Sequence, residues 1–376
     1  MSTGILKKYS PLLDRVTDRA ELSDLVHEMV GELAALHIVV QGGDRREAPD
    51  RIKIAGLGAA LERDEPRGGW RVEHVYRSDP DYPHRLSPLD RPGVDVKKGD
   101  IIELINGVAT LSVPHPCALL RNQAGKQVLL RVKSSGTEKS RDVVVKPIDD
   151  DAEFDLRYGE WELTRRERVE ELGRGDIGYV HLRAMSKDDI AQWAREYYPV
   201  YNRKGLIIDV RHNGGGNIDS WILEKLLRKA WFYWQGRAGV PTWNMQYAFR
   251  GHMVVLCDEH TGSDGEAFTE GFKRLGLGKV IGKRTWGGEI WLSASNWLVD
   301  RGIATSAEFG VYGPEGQWLI ENHGVEPDMV VENPPHATFQ GEDAQLARAI
   351  NHLQEEIRRQ PVEVPPVPPH PDKSFK

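Results

Sequence analysis

The sequence predicts an α/β protein with a small N-terminal helical segment and an inserted β-rich domain. Strands and helices alternate from Gly178 onward, which is typical of a parallel sheet covered by helices. Short apolar runs separated by glycine, proline and aspartate fill residues 50–148, as in a small β domain. Apolar residues recur at helical spacing between residues 18 and 36. We therefore expect four segments, with bounds 1–48, 49–148, 149–335 and 336–376.

Composition and charge are those of an ordinary globular protein. The chain has 376 residues, 39% of them hydrophobic, which is enough for two or three domains. A net charge of -7, without a basic stripe, predicts no nucleic-acid partner. No apolar run approaches the roughly 18 residues that would span a bilayer, so we expect no membrane segment. The sequence opens almost directly into helix, which suggests an excised fragment.

The two cysteines predict the compartment. Cys117 and Cys257 lie far apart without a CxxC spacing, so neither a disulfide framework nor a zinc site is expected. A reducing, cytoplasmic compartment fits this pattern best.

The first helix is expected over residues 18–36, where Asp18 caps it and Glu21 reaches back. A short extended run follows at residues 37–40 and stops at Gly42-Gly43. His37 therefore lies at a helix-to-strand junction.

The β-rich domain is expected to contain strands near residues 55–57, 70–75, 101–105, 128–132 and 143–145. Within it, VKKGDIIELING at residues 96–107 resembles a hairpin of PDZ domains, and Gly56-Leu57-Gly58 resembles their carboxylate-binding loop. Such domains bind a peptide as an added strand, so Gly56, Leu57 and Gly58 are candidate peptide-binding residues. The alternative is that these glycines and polar residues only form turns.

Residues 150–175 are rich in charge, and we interpret them as a linker or an exposed strand pair. The α/β part then predicts strands at 178–182, 205–210 and 252–256, and helices at about 187–197, at about 219–231 and after Ser263. The proline-rich end, residues 361–369, is expected to be extended.

Ser263 is the leading candidate for a chemical role. It follows a buried strand and begins a helix, where α/β sheets place their ligand crevices. The Asp264 amide at this helix start could face an oxyanion that forms on a carbonyl attacked by Ser263. The alternative is that Ser263 is only a helix N-cap.

A second glycine cluster, NGGGN at residues 213–217, follows the neighbouring strand and would reach the same edge of the sheet. Its amides could supply another oxyanion donor, although a tight turn is the simpler alternative. The pattern GxxxxGK[ST], typical of a phosphate-binding loop, is not found here.

Four motifs in this order, NGGGN, TGSDGE, GLGKVIGKRTWGG and ENHGVEPD, resemble the tail-specific serine peptidases, and among them the tricorn protease group. The segment GELAALHIVVQGGD ahead of a PDZ-like domain extends the resemblance over about residues 9–335. The resemblance implies that Ser263 is the nucleophile, His37 its general base and Glu321 the acidic residue that supports the histidine. It also implies an oxyanion hole made by the amides of Asp264 and of Gly215 or Gly216.

The same resemblance implies a crotonase/ClpP-like peptidase core, with the histidine on the segment 1–48 and the serine in the segment 149–335. Acyl transfer through serine needs no metal and no cofactor. A homo-oligomer, perhaps a hexamer of facing trimers, is also implied.

The chain departs from the group's pattern at two places. Tricorn-like enzymes carry a serine immediately before the histidine, and this chain has Leu36, whose side chain cannot relay a hydrogen bond. Residues 230–237, AWFYWQGR, contain no acid where the group has a carboxylate for basic substrate residues. An apolar or aromatic pocket is the expectation here.

We therefore interpret the chain as a serine peptidase that hydrolyses peptide bonds in unfolded polypeptides or oligopeptides. One alternative is a PDZ-type peptide-binding module of weak catalytic power, as Leu36 suggests. Another is a crotonase-like acyl-CoA enzyme. The sequence argues against this alternative, because it shows no basic cluster that could bind the CoA phosphates.

Overall fold

The structure is a computed structural model that describes residues 3–44, 50–293, 297–369 and 374. Its contacts divide the chain into two compact units. The β-rich unit comprises Glu47–Glu167, and the α/β unit comprises Met1–Arg46 and Arg168–Lys376. The predicted domain bounds remain a prediction.

The N-terminal segment contains α1 (Thr3–Tyr9), α2 (Arg19–Gly31) and β1 (Val40–Gly42). Asp18 caps α2 as predicted, because its Oδ1 accepts the amides of Ala20 and Glu21. Glu21 reaches back to the Thr17 amide and hydroxyl. The prediction of helix up to residue 36 was wrong: the chain turns after Gly31, and Leu33 and Leu36 are exposed.

The strands of the β-rich unit are β2 (Ala55–Gly56), β3 (Ala59–Asp64), β4 (Gly69–Val75), β5 (Ile101–Ile105), β6 (Val108–Ala109), β7 (Val128–Lys133), β8 (Ser140–Val145) and β9 (Ile148–Asp149). Most of them form an antiparallel sheet of order β3-β4-β5-β7-β8, with β6 paired to β5. β2 and β9 form a separate antiparallel pair. Each of the five predicted apolar runs forms or overlaps one of these strands. Asn106 and Gly107 both have positive φ and join β5 to β6 in a two-residue turn.

The charge-rich segment is a helix, α3 (Asp150–Gly173), so the predicted linker or exposed strand pair was wrong. Asp149 caps it, since its Oδ1 accepts the Ala152 amide. Leu156, Leu163 and Val169 are buried at near-helical spacing along it. The charged residues lie on the remaining faces, where some of them bond other residues of the β-rich unit: Glu153 accepts the Gly58 amide and Glu160 accepts the Arg77 amide.

The α/β unit contains a five-stranded parallel sheet of order β10-β11-β14-β15-β19. The parallel arrangement predicted from the alternating pattern is confirmed. The sheet strands are β10 (Ile177–His181), β11 (Gly205–Asp209), β14 (His252–Cys257), β15 (Gly278–Gly282) and β19 (Met329–Val330). The smaller paired strands are β12 (Tyr233–Trp234), β13 (Thr242–Trp243), β16 (Trp291–Ser293), β17 (Gly302–Ala304) and β18 (Ser306–Phe309).

Helices cover both faces of this sheet. They are α4 (Lys187–Tyr197), α5 (Asp219–Leu227), α6 (Asp264–Arg274) and α8 (Ala344–Arg359), while the short helix α7 (Pro335–Phe339) precedes α8 in the chain and buries none of its residues. One apolar cluster joins α4, α5 and α6 to alternate residues of the strands, and a second joins α8 and the end of α3 to the other set. Strands β10 and β11 and most of β14 are therefore buried, which explains their continuous apolar sequences, whereas Val330 in the edge strand β19 is exposed. No helix in the described part of the chain is long and apolar enough to cross a membrane.

Candidate active site

The candidate site lies where β11 and β14 end. The two strands are parallel neighbours, so the loops after Asp209 and after Cys257 leave the same edge of the sheet. The Gly262 amide donates to the Asn213 carbonyl at 2.9 Å, and the His212 amide donates to Asp258 Oδ1 at 3.0 Å. The serine loop and the glycine loop, predicted to share this edge, are thus joined directly.

Ser263 has a strained backbone at the start of α6. Its φ is 53° and its ψ is -129°, a region that non-glycine residues seldom adopt. A sharp turn between strand and helix that presents a serine in this way is also the geometry of nucleophile elbows in other hydrolases. The strain indicates a role beyond helix capping.

Gly215 lies directly against Ser263. A Cβ added at Gly215 would stand 2.4 Å from Ser263 Cβ and 2.9 Å from its Oγ. Gly215 also has a φ of 84°, so both the conformation and the space require glycine there.

The amides near Ser263 separate the two alternatives for the oxyanion hole. Gly215 donates its amide to Asn213 Oδ1 at 2.8 Å, so this predicted donor is already occupied. Among the described residues, no acceptor is found for the amides of Gly216 and Asp264. Met185 pairs with the residues on either side of Gly216, which turns the Gly216 amide away from that pairing.

His37 is held at the site through its backbone and its ring. Its carbonyl accepts the Thr305 hydroxyl at 3.0 Å. Its imidazole stands edge-on to Trp286, with 5.4 Å between ring centroids and 88° between planes. Trp286 in turn lies against Gly262, where an added Cβ would be 3.1 Å from the indole. His37 Nδ1 is buried and has no hydrogen-bond partner among the described residues.

Glu321 holds backbone rather than the imidazole. Its Oε1 accepts the Leu36 amide at 3.0 Å, and its Oε2 accepts the amides of Glu289 and Ile290 at 2.7 and 2.8 Å. Within the residues described, it makes no hydrogen bond to the His37 ring. Glu321 therefore holds the residue before His37 rather than the imidazole itself. The bond is to the backbone amide of Leu36, so it does not depend on the leucine side chain.

Sequence reasoning missed Glu266. Its side chain is 0% exposed, and its carboxylate accepts the Ser263 amide, the Thr285 hydroxyl and the amides of Gly287 and Gly288. The signal was present as Ser-x-x-Glu at 263–266, a capping-box pattern. That pattern alone does not predict the bonds from residues 285–288.

Two further buried acids lie near the serine. Asp264 is 1% exposed, and its burial, followed by the charge of Asp219, raises its pKa to about 7. Glu289 is 2% exposed, and its burial, followed by the charges of Glu266 and Asp264, raises its pKa to about 8. Each of these two acids carries one oxygen without a partner among the described residues. No cluster of three or more His, Cys, Asp and Glu in the described part of the chain is arranged to hold a metal ion.

The predicted peptide-binding loop, Gly56-Leu57-Gly58, is buried inside the β-rich unit. The Gly58 amide donates to Glu153 Oε2 at 3.4 Å, and a Cβ added at Gly56 would lie 1.4 Å from that same oxygen. A carboxylate therefore does occupy this loop, but it comes from α3 of the same unit. Peptide binding by this loop stays a prediction.

The aromatic segment at 230–237 forms part of the β12–β13 hairpin. Trp231 and Trp234 are 71% and 59% exposed, and both rings contact Phe232. The segment is therefore an exposed aromatic surface.

Comparison with known proteins gives three family matches in chain order. The models for the tricorn protease C1 domain, the tricorn protease PDZ domain and peptidase family S41 match residues 2–31, 55–150 and 176–331. Tricorn protease homolog 1 of Streptomyces coelicolor is 38% identical over 365 residues, which is 96% of this chain and 34% of that protein. The tricorn protease of Thermoplasma acidophilum is 33% identical over 98% of this chain and 34% of its own.

A solved structure agrees with these matches. The crystal structure of the tricorn protease superposes with a TM-score of 0.85 at 32% identity, covering 94% of this chain and 34% of that one. The chain thus spans about a third of the length of these relatives. The chain belongs to the tricorn protease family.

Proposed function

We propose that the chain is a serine peptidase that hydrolyses peptide bonds in unfolded polypeptides or oligopeptides through an acyl-enzyme at Ser263. The observation that carries this proposal is the strained turn at Ser263, flanked by the amides of Gly216 and Asp264, which have no acceptor among the described residues. Such amides can stabilise an oxyanion that develops on an attacked carbonyl. Membership of the tricorn protease family supports the same reaction.

In the proposed acylation, Ser263 Oγ attacks the scissile carbonyl while His37 takes the hydroxyl proton. The carbonyl oxygen becomes an oxyanion between the Gly216 and Asp264 amides. The tetrahedral intermediate then collapses, the C–N bond breaks, and His37 returns the proton to the leaving amine. The acyl-enzyme is hydrolysed by the same steps with water as the nucleophile. Every group that acts on the substrate in these steps belongs to the chain or to water.

The structure supports an indirect role for Glu321. It holds the amide of Leu36, so it fixes the backbone that carries His37. This arrangement orients the base less fully than a carboxylate bonded to the imidazole would.

A second candidate is a peptide-binding module of low catalytic power. The observation that favours it is His37 Nδ1, which is buried without a partner among the described residues. An imidazole without an orienting acceptor is a weaker base catalyst.

The remaining features of the proposal come from the family. They are a crotonase/ClpP-like core, a PDZ-like domain at 49–148, a cytoplasmic location and a homo-oligomeric assembly. Sedimentation velocity would test the assembly, since the expected species are larger than the 42.4 kDa chain. A single monomeric species at all concentrations would contradict it.

Hydrolysis of a quenched fluorescent peptide library tests the proposed function. We expect turnover by the wild-type chain that falls by 10³-fold or more, on the order of what loss of a catalytic serine or its base costs, in Ser263→Ala and His37→Ala. His336→Ala is the matched control, because that histidine is exposed and its ring bonds Gln340, one turn along the same helix. Peptide binding without turnover would favour the second candidate.

A further inference from the structure

Glu266 is a buried carboxylate with an unusually full set of donors. The Ser263 amide lies 3.1 Å from its Oε2, and the Gly288 amide lies 2.9 Å from the same oxygen. The Thr285 hydroxyl and the Gly287 amide lie 2.5 and 2.7 Å from its Oε1. A buried carboxylate is costly unless donors compensate for its lost hydration, and here both oxygens are satisfied.

Helix capping explains only one of these four bonds. In a capping box, the third helical residue accepts the amide of the N-cap residue, as Glu266 does for Ser263. The other three donors come from residues 285–290, which we call the Trp286 segment. A residue that served the helix alone would not need to be buried against this segment.

The Trp286 segment connects the two reacting side chains. Trp286 stands edge-on to His37 and lies against Gly262, the neighbour of Ser263. The far end of the segment is bonded to Glu321, which also holds Leu36 next to His37. The segment is thus held at one end by a carboxylate bonded to the serine backbone and at the other by one bonded beside the histidine.

We propose that Glu266 is the positioning residue that sets the nucleophile against its base. Its two carboxylate oxygens hold the Ser263 backbone in its strained conformation and also bind the Trp286 segment. Because Trp286 contacts the His37 ring, the same carboxylate helps to position that ring. This inference rests on the proposed function of Ser263. The Glu266 carboxylate bonds the Ser263 amide and the Trp286 segment rather than a reacting atom, and it acts only through the residues that it holds.

The physical reason is that a strained backbone persists only where its surroundings over-determine it. Release of the Ser263 amide would let the turn relax toward ordinary φ values. The hydroxyl would then move relative to His37, and a displacement of about 1 Å can cost about 10²-fold in rate.

The test is Glu266→Gln, which keeps the side chain's size but replaces one acceptor oxygen with an NH₂ group that faces amide donors. We expect a fluorophosphonate probe to modify Ser263 about 10²-fold more slowly at saturation, with little change in the probe's dissociation constant. In peptide hydrolysis, the same variant should lose kcat and keep KM. A purely structural role would instead lower the folded fraction and leave the rate per folded molecule unchanged.

Glu270→Gln is the matched control, since it lies one turn along α6 and bonds Arg274 instead. Thr285→Val is the second variant, for use if Glu266→Gln does not fold. It removes one of the four donors to Glu266. We expect about 10-fold slower labelling of Ser263, a smaller loss than that expected for Glu266→Gln.

Wild-type labelling rates in a folded Glu266→Gln chain, or in Thr285→Val if the first variant does not fold, would overturn the inference while leaving the proposed function intact. Absence of labelling in the wild-type chain itself would instead contradict the proposed function.

Discussion

At the scale of single residues, the site depends on a serine and a glycine that constrain each other. Ser263 adopts a positive φ, and its side chain leaves no room for a side chain at position 215. Residues 213–217 predicted a tight loop, but no local pattern could show which amide is free. That depends on Asn213 Oδ1, whose bond to Gly215 forms only in the folded loop.

Gly215→Ala is therefore expected to slow the reaction of Ser263 strongly. The new methyl group would overlap Ser263 Cβ at 2.4 Å, and a φ of 84° is unfavourable for alanine. We expect at least about 10²-fold slower phosphonylation of Ser263, similar to other displacements of catalytic groups.

The control for this change is Gly214→Ala, one residue earlier. No heavy atom lies within 4 Å of a Cβ added at Gly214, and its φ is not in the left-handed range. Labelling rates of the two variants, measured side by side, should differ widely. Equal rates would show that the contact between Gly215 and Ser263 is unimportant.

The buried acid Glu289 makes stability depend on pH. Its pKa is raised to about 8 by burial, followed by the charges of Glu266 and Asp264, whereas an unfolded glutamate titrates near 4.3. Between these values the folded chain binds more protons than the unfolded chain, so stability falls as pH rises from about 4.3 to about 8.

Glu289→Gln should remove this contribution. The Tm of the wild-type chain should fall more steeply between pH 5 and 8 than that of the variant, as scanning calorimetry would measure. Glu308→Gln, at an exposed position, serves as control. Parallel curves for wild-type and Glu289→Gln would contradict the assignment of a raised pKa to this group.

At the scale of elements, the spacing of apolar residues determined which helices and strands the sequence could predict. Strands β10, β11 and β14 and helix α4 follow patterns that were evident in the sequence, whereas strands β15 and β19 were not predicted. Helix α3 was not predicted because its many charged residues suggested an exposed segment. The near-helical spacing of Leu156, Leu163 and Val169, which are buried along it, indicates the helix. Helix α2 ends early because the chain turns at Gly31, although leucines continue the stripe beyond it.

Leu156→Ala tests whether α3 is an integral part of the fold. Leu156 is buried and packs against Gly58, where an added Cβ would be 2.9 Å from its methyl group. Loss of a buried leucine side chain costs about 2–5 kcal/mol of the free energy of unfolding.

Leu172→Ala is the comparison, since this leucine lies on the same helix and is exposed. Urea unfolding followed by circular dichroism should show a clear shift of the midpoint for the first variant and a small one for the second. A solvated linker would give two similar curves.

At the scale of the whole molecule, the candidate site is assembled from segments far apart in the chain. His37 and Leu36 come from the N-terminal segment, Gly216 from the loop after β11, Ser263 from the start of α6, and Glu321 from the stretch between β18 and β19. Family resemblance identified most of these residues. The bonding of Glu321 to Leu36 and of Glu266 to the Trp286 segment needed the folded structure, because both join residues without local sequence pattern.

Covalent labelling with a fluorophosphonate, read by intact mass and peptide mapping, tests directly whether Ser263 is a nucleophile activated by His37. We expect one probe per chain, attached to Ser263, and no labelling in Ser263→Ala or His37→Ala. A folded wild-type chain that stays unlabelled at Ser263, or that labels equally well without His37, would contradict it.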